Sequence, residues 1–278
     1  MELQQSPLYA QYIKTLGWQV LTIDQTHVFF RHIPLSGTIA KIQRPSTLPS
    51  IDKLVPLLKE HHVRIIIAEA SAQQNPQAFS DWRKKLEKHF KLSSTPYIPT
   101  KTIIIDLIPN ETEIFNRFTE AKRRAVRRTQ KNNLQIKEST NIDDLIKIKN
   151  KSAGFLGFLT TFGIKKLWPI FGPKHAAILL SYSSNGKTIG GVLLLFWENI
   201  AYYWIAGATR EGKKLFAPTL LVWEALKLSK IRGAQTFDFV GVWDERLPKQ
   251  YDAWKGFTKF KEGFGGKTIY YPIATLHR

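Results

Sequence analysis

Two kinds of hydrophobic spacing alternate along this chain. Over LYAQYIKTLGW (8–18) the apolar positions recur at helical spacing and stop at Gly17. WQVLTI and HVFFRHI, which follow, are rich in β-branched and aromatic residues and predict strands. IDKLVPLLKEHH (51–62) predicts a helix carrying Pro56, RIIIAEA (64–70) a buried strand, and QAFSDWRKKLEKHF (77–90) an amphipathic helix. SSTPYIPT (93–100), with two prolines, reads as a linker.

After the linker the pattern restarts. TIIIDL (102–107) predicts a buried strand. A long helix is expected over 109–132, because Ile114, Phe118, Ala121 and Ala125 follow helical spacing. LQIKE then predicts a strand and NIDDLIKIKNKSAG a helix. AAILLSY, GGVLLLFW and NIAYYWIAGAT predict three strands joined by turns. TLLVWEALKLSKIRGA (219–234) predicts a helix closed by Gly233, QTFDFVG (235–241) a strand, and KFKEGFGG (259–266) an extended segment. Consecutive antiparallel strands, a crossover helix and one more strand make an α+β arrangement, not a doubly wound sheet. This order is similar to that of the GNAT acyltransferase fold, and the first hundred residues are compatible with a shorter copy. The expectation is two tandem domains, 1–99 and 100–278, with a cleft between them and the last strand free to return to the first domain.

Charge changes the picture more than length does. The 278 residues carry 41 Lys+Arg against 22 Asp+Glu, a net charge of +19. An excess of this size costs self-repulsion and favours an anionic partner such as nucleic acid, an anionic lipid surface or a phosphorylated substrate. There is no cysteine, which excludes disulfides and thiol catalysis. The seven histidines show no metal-ligand spacing, so neither a metal nor another cofactor is expected. MELQQSPLYA lacks the basic and apolar regions of a signal peptide, and the apolar runs are too short to span a bilayer. A cytoplasmic protein is expected, with peripheral contact to the cytoplasmic membrane allowed.

Four segments could carry chemistry. AKRRAVRRTQKNNLQIK (121–137) holds seven basic residues and no acid. On a helix Arg123, Arg127 and Lys131 share one face, which is either a solvated basic face or a phosphate-binding one. REGKKLFAP (210–218) occupies the place where acyl-CoA-dependent acetyltransferases carry a glycine-rich pyrophosphate turn. Its one glycine, Gly212, is out of position for that turn, while Lys213 and Lys214 could hold a phosphate as point charges. In FDFVG, Asp238 is either a structural carboxylate or a contact to a substrate amine. KFKEGFGG, read as extended, puts Lys259 and Lys261 on one face, as an edge strand guarded by lysines or as a polyanion site.

Taken together these residues resemble the Fem family of peptidoglycan-bridge aminoacyltransferases over most of the chain. KIQRPSTLP (41–49) resembles an aromatic-x-x-R-G-P strand end with Arg44 in the arginine place, although Pro45 follows directly. KRRAVRRTQKNNLQI resembles the family's basic helix, YYWIAGAT and LLVWEALKLSKIRGAQTFDFVGV its domain core, and KFKEGFGG its F-K-x-x-F-G signature, with Lys261, Phe264 and Gly265 in place. No heptad pair interrupts the second domain, so the coiled-coil arm of some members is absent. The resemblance implies an aminoacyl-tRNA donor, and an acceptor amine on the stem peptide of a lipid-linked or UDP-linked muropeptide. It puts Lys41, Arg44 and Phe162 on the acceptor side. Arg123, Arg127, Lys131, Lys213, Lys214, Lys259, Phe264 and Gly265 fall on the donor side, with Lys261 and Asp238 at the chemistry. In the region matching the family's precursor-phosphate contacts, FLGFLTTFGIKKLW (155–168), there is no arginine, and Lys165 and Lys166 are the nearest cations. An acyl-CoA-dependent N-acyltransferase and a non-enzymatic RNA-binding protein are the competing expectations.

Overall fold

A computed structural model describes residues 1–154, 157–250 and 252–273. The chain forms two compact units, one of Met1–Lys101 with the terminal segment from Ile269, the other of Thr102–Thr268. No helix among the described residues is long and apolar enough to cross a membrane.

In the first unit α1 (Pro7–Thr15) starts at Ser6, whose hydroxyl accepts the Tyr9 N–H, with Pro7 in the first turn. A five-stranded sheet follows: β1 (Gln19–Ile23), β2 (Thr26–Ile33), β3 (Gly37–Gln43), β4 (Val63–Glu69) and β5 (Lys91–Leu92), in that spatial order. The first three strands are antiparallel, and β3, β4 and β5 run parallel. Parallel pairs need crossovers, and α2 (Ile51–Glu60) and α3 (Pro76–Glu87) supply them. Leu54, Leu58, Phe79, Trp82 and Leu86 from these helices pack on Phe30, Ile42 and Ile66 of the sheet.

The second unit opens with β6 (Lys101–Asp106). The helix expected over 109–132 is broken into α4 (Glu111–Asn116) and α5 (Glu120–Lys131). Two sets of hydrogen bonds account for the break. The Arg123 guanidinium donates to the carbonyls of Asn116 and Phe118, and the Thr119 N–H donates to the Gly263 carbonyl. Groups that would continue one helix are thus satisfied outside it. Next come β7 (Gln135–Ser139), α6 (Ile142–Ala153), a 3-10 turn (Gly157–Thr161) and α7 (Ile164–Phe171), a helix the hydrophobic pattern did not predict. Phe155 and Leu156 lie outside the described residues.

The antiparallel meander is β8 (Ala176–Tyr182), β9 (Thr188–Trp197) and β10 (Ile200–Ala208). It leads through α8 (Arg210–Lys214) and the long α9 (Ala217–Ile231) to β11 (Thr236–Asp238), which pairs parallel to β10. The chain closes with α10 (Lys255–Glu262) and β12 (Lys267–Tyr270), and the seven-stranded sheet runs β12-β6-β11-β10-β9-β8-β7.

One expectation is corrected here. Lys259 and Lys261 belong to helix α10, not to an extended segment. The K-F-K alternation suggested a strand, but Phe257, Phe260 and Phe264 are spaced for a helix, and tertiary packing selects that period. Phe264 is fully buried, with its ring 5.0 Å from Phe118, 5.2 Å from Phe260 and 5.9 Å from Phe239. Lys259 and Lys261 therefore point different ways: Lys259 is exposed and Lys261 is partly buried.

Candidate functional site

The second unit contains a cavity of about 560 Å³ built from four directions. Helix α6 forms one side. Its apolar stripe, Ile142, Leu145 and Ile148, is buried, and the helix lies directly on the backbone of β10. A Cβ at Gly207 would come within 2.9 Å of Lys149 Cα and of Ser152 Oγ, so only glycine allows this approach. The close approach brings Lys149 and Ser152 into the cavity wall. Strand β10 contributes a bulge: Tyr203 pairs with Leu194 and Ile205 with Leu193, leaving Trp204 as the extra residue. Bulges re-aim side chains, and Trp204 lines the cavity. Trp254, Phe257, Phe260 and Lys261 close the opposite wall, and Lys213 of α8 adds a third cation.

Lys261 is the focus. Its Nζ donates to the carbonyls of Phe239 at 2.8 Å and Gly241 at 2.6 Å, with one N–H not taken by any described residue. The rings of Phe257 and Phe239 lie 4.9 and 5.7 Å from the ammonium. Burial pushes its pKa down to about 8. The Asp238 carboxylate works against that fall, and Lys149 adds to it. Lys149 is itself lowered, by burial and then by Lys213. Lys149 thus disfavours the charge on Lys261, and Lys213 that on Lys149, in an aromatic enclosure, a field suited to an anionic ligand.

The carbonyl seat under Lys261 is made by an unusual backbone. Val240 has φ +63°, in the left-handed region where a β-branched residue is an outlier costing about 1–3 kcal/mol. Asp238 holds it there. Its buried carboxylate accepts the Val240 N–H at 2.7 Å and the Thr102 hydroxyl at 2.5 Å. Asp238 is not among the cavity-lining residues.

Of the other residues the sequence singled out, Lys213 enters this cavity, while Lys214 and Lys259 are exposed outside its lining. Phe264 is core, and Gly265 lies in the turn after α10. Arg127 and Lys131 are exposed on α5, whose Ala125, Val126 and Thr129 are buried. Arg123 is occupied by its two carbonyls. Phe162 is 71% exposed, just before α7. Lys41 and Arg44 belong to the first unit. The Lys41 ammonium is buried between Trp18 and Tyr97, 4.2 and 3.2 Å from their ring centroids. Burial lowers its pKa to about 8, with Glu69 opposing and Arg31 assisting. Arg44 donates to the Pro99 carbonyl at 2.7 Å, pairs with Glu2 at 3.8 Å and lies over the Tyr271 ring at 3.5 Å.

Sequence reading missed Lys149, Trp204 and Trp254, whose roles depend on a glycine contact, a bulge and a helix–wall packing with no local signature. It also missed Lys122, whose ammonium lies 3.6 Å from the Phe260 centroid and whose pKa burial lowers to about 8.

The central strand of the seven-stranded sheet is thus bulged, pairs parallel with β11 and carries the cavity. A family model of the acetyltransferase (GNAT) domain matches residues 117–256, half of the chain, and takes in the cavity lining except Phe257, Phe260 and Lys261. The chain belongs to that family, and it is a transferase of acyl groups with a mixed α/β GNAT-like fold. Among solved structures, FemX superposes with a TM-score of 0.74 at 16% identity, covering 97% of this chain and 90% of FemX. The Fem-like fold expected from the sequence is therefore present. The C-terminal domain of a putative lysylphosphatidylglycerol synthetase from Agrobacterium fabrum has a TM-score of 0.62 at 12% identity, covering 97% of this chain and 87% of that one. A tandem GNAT protein from the clavulanic acid biosynthesis pathway has a TM-score of 0.52 at 10% identity, covering 88% and 77%. No curated protein matches the sequence significantly.

Proposed function

We propose that this protein is a tRNA-dependent aminoacyltransferase that adds an amino acid to the stem-peptide amine of a peptidoglycan precursor. The observation that carries the reading is Lys261, at the matched F-K-x-x-F-G position, facing an aromatic cavity with two further lysines. An aminoacyl ester is already activated, so aligning ester and amine and stabilising the developing oxyanion suffices. Alignment can lower the barrier by roughly 7–11 kcal/mol at best. The Lys261 ammonium, with one N–H available, neutralises charge on the ester oxygen or on the departing ribose hydroxyl. Asp238 sets the carbonyl seat that holds Lys261. Lys41 and Arg44 of the first unit are the residues assigned to the acceptor.

An RNA donor is supported over acyl-CoA by the segment after β10. Where a glycine-rich phosphate turn would lie, residues 210–214 form helix α8, capped by the Thr209 hydroxyl. Gly212 is used for packing, since a Cβ there would approach the Ile189 carbonyl to 2.3 Å. The lysylphosphatidylglycerol synthetase with this fold is named for an aminoacylated product. A second reading, an acyl-CoA-dependent N-acyltransferase, is favoured by the acetyltransferase description of the matching family.

The test is a transfer assay with mixed charged tRNAs against lipid-linked and UDP-linked muropeptides, read by mass spectrometry beside a reaction with labelled acetyl-CoA. A muropeptide heavier by one aminoacyl residue is expected. Label from acetyl-CoA with none from tRNA decides for the second reading.

The basic helix makes a separable prediction. Arg127→Glu/Lys131→Glu should weaken tRNA binding and reduce the slope of log affinity against log salt by about 0.7–0.9 for each phosphate no longer neutralised. Arg123→Ala should instead lower the melting temperature, because it strips the carbonyls at the α4–α5 break. Filter binding across a salt series checks the first, and unchanged affinity in the double variant removes α5 from the RNA site.

A further inference from the structure

Between α6 and α7 the chain makes a 3-10 turn, Gly157–Thr161. It is anchored: the Thr161 hydroxyl donates to Asn150 Oδ1 of α6 at 2.8 Å, and Thr160 lines the cavity. Yet Phe158, Leu159 and Phe162 are 59%, 58% and 71% exposed. Three large apolar side chains in water within five residues mark a contact surface. They are not a displaced part of the core, because α7 already buries its own stripe, Ile164, Leu167 and Phe171.

The surroundings are cationic. Residues 142–174 hold six lysines and two aspartates. Each aspartate already pairs with a lysine, Asp143 with Lys165 at 2.9 Å and Asp144 with Lys147 at 3.4 Å. Lys151, Lys165 and Lys166 are exposed. Phenylalanine and leucine beside lysine are the composition of a segment that rests in the headgroup region of an anionic bilayer. An RNA strand could stack on the phenyl faces but gains nothing from Leu159, and the cations suited to it lie on α5.

We propose that this turn docks on anionic phospholipid beside the cavity. The acceptor is then presented from the bilayer and is the lipid-linked muropeptide. The choice of acceptor rests on the aminoacyl-transfer reading, whereas the docking does not.

The test uses the full chain and vesicles of phosphatidylcholine with or without phosphatidylglycerol. Wild type should co-sediment with the anionic vesicles and much less with the neutral ones. Phe158→Ser/Leu159→Ser should cut that partition at least about tenfold, since each side chain loses its transfer out of water. Its melting temperature should be unchanged, as both residues are exposed. Transfer to a UDP-linked acceptor should stay at wild-type level in this variant, and transfer to a lipid-linked acceptor in vesicles should fall. Wild type that ignores anionic vesicles, or a double variant that binds them equally well, overturns the proposal. So does a variant that loses tRNA affinity and keeps vesicle binding, which would make the turn an RNA face. Vesicle binding by wild type that the variant loses, with no transfer by wild type from any charged tRNA, sinks the aminoacyl reading and leaves the docking surface standing.

Discussion

Lys261→Ala should remove transfer activity while the protein stays folded. Taking away one charge-stabilising donor at a developing oxyanion costs about 10²–10³ in rate, roughly 2.7–4 kcal/mol. The pH dependence identifies the role. Burial lowers the Lys261 pKa to about 8, so its ammonium is present below that pH and lost above it. If the cation does the work, the rate falls as pH rises through about 8, and Lys261→Arg, charged throughout, flattens the fall. A base at this position would give a rate that rises instead. Stability runs the other way. Between about 8 and the ordinary lysine value of 10.5 the unfolded chain binds more protons than the folded one at this site. The contribution of Lys261 to stability therefore grows with pH over that window. Melting curves of wild type and Lys261→Ala across the same range should separate accordingly. Full activity in Lys261→Ala would refute the assigned role.

Asp238 carries the second large effect, and two substitutions divide its possible roles. Asp238→Ala leaves the Val240 N–H and the Thr102 hydroxyl without their acceptor, at about 1–3 kcal/mol for each buried group. It also releases the left-handed Val240, so the carbonyls of Phe239 and Gly241 no longer converge on Lys261. A melting temperature lower by about 4–12 °C is expected, with transfer reduced at least about tenfold. Asp238→Asn keeps an oxygen for both donors and should retain most of the activity at lower pH, while loss of the opposing charge moves the fall in rate to lower pH. An inactive, fully folded Asp238→Asn protein would make the carboxylate a base.

The sheets were legible because their strands are apolar runs bounded by turns. TIIIDL, AAILLSY and GGVLLLFW can be little else, and their order by itself points to the GNAT-like arrangement. Element boundaries set by tertiary contacts were not legible. The break at 117–119 depends on Arg123 reaching two carbonyls and on Gly263 accepting from Thr119, neither of which has a local pattern. The last lysines were placed on the wrong element because a two-residue alternation was weighed above the seven-residue spacing from Phe257 to Phe264. For the site, the F-K-x-x-F-G match pointed to Lys261. The rest of the cavity comes from a glycine-mediated helix–strand approach and a bulge, and neither alters the hydrophobic rhythm of its segment.

The glycine contact also governs how the enzyme can diversify. With Gly207 fusing α6 to β10 at backbone distance, Lys149, Ser152 and the neighbouring strand behave as one rigid plate. Widening the chamber from that side would require moving a helix and a central strand together. Accommodation of bulkier or smaller acyl groups is therefore left to Trp254 and Phe257, which line the cavity outside the buried core of the sheet.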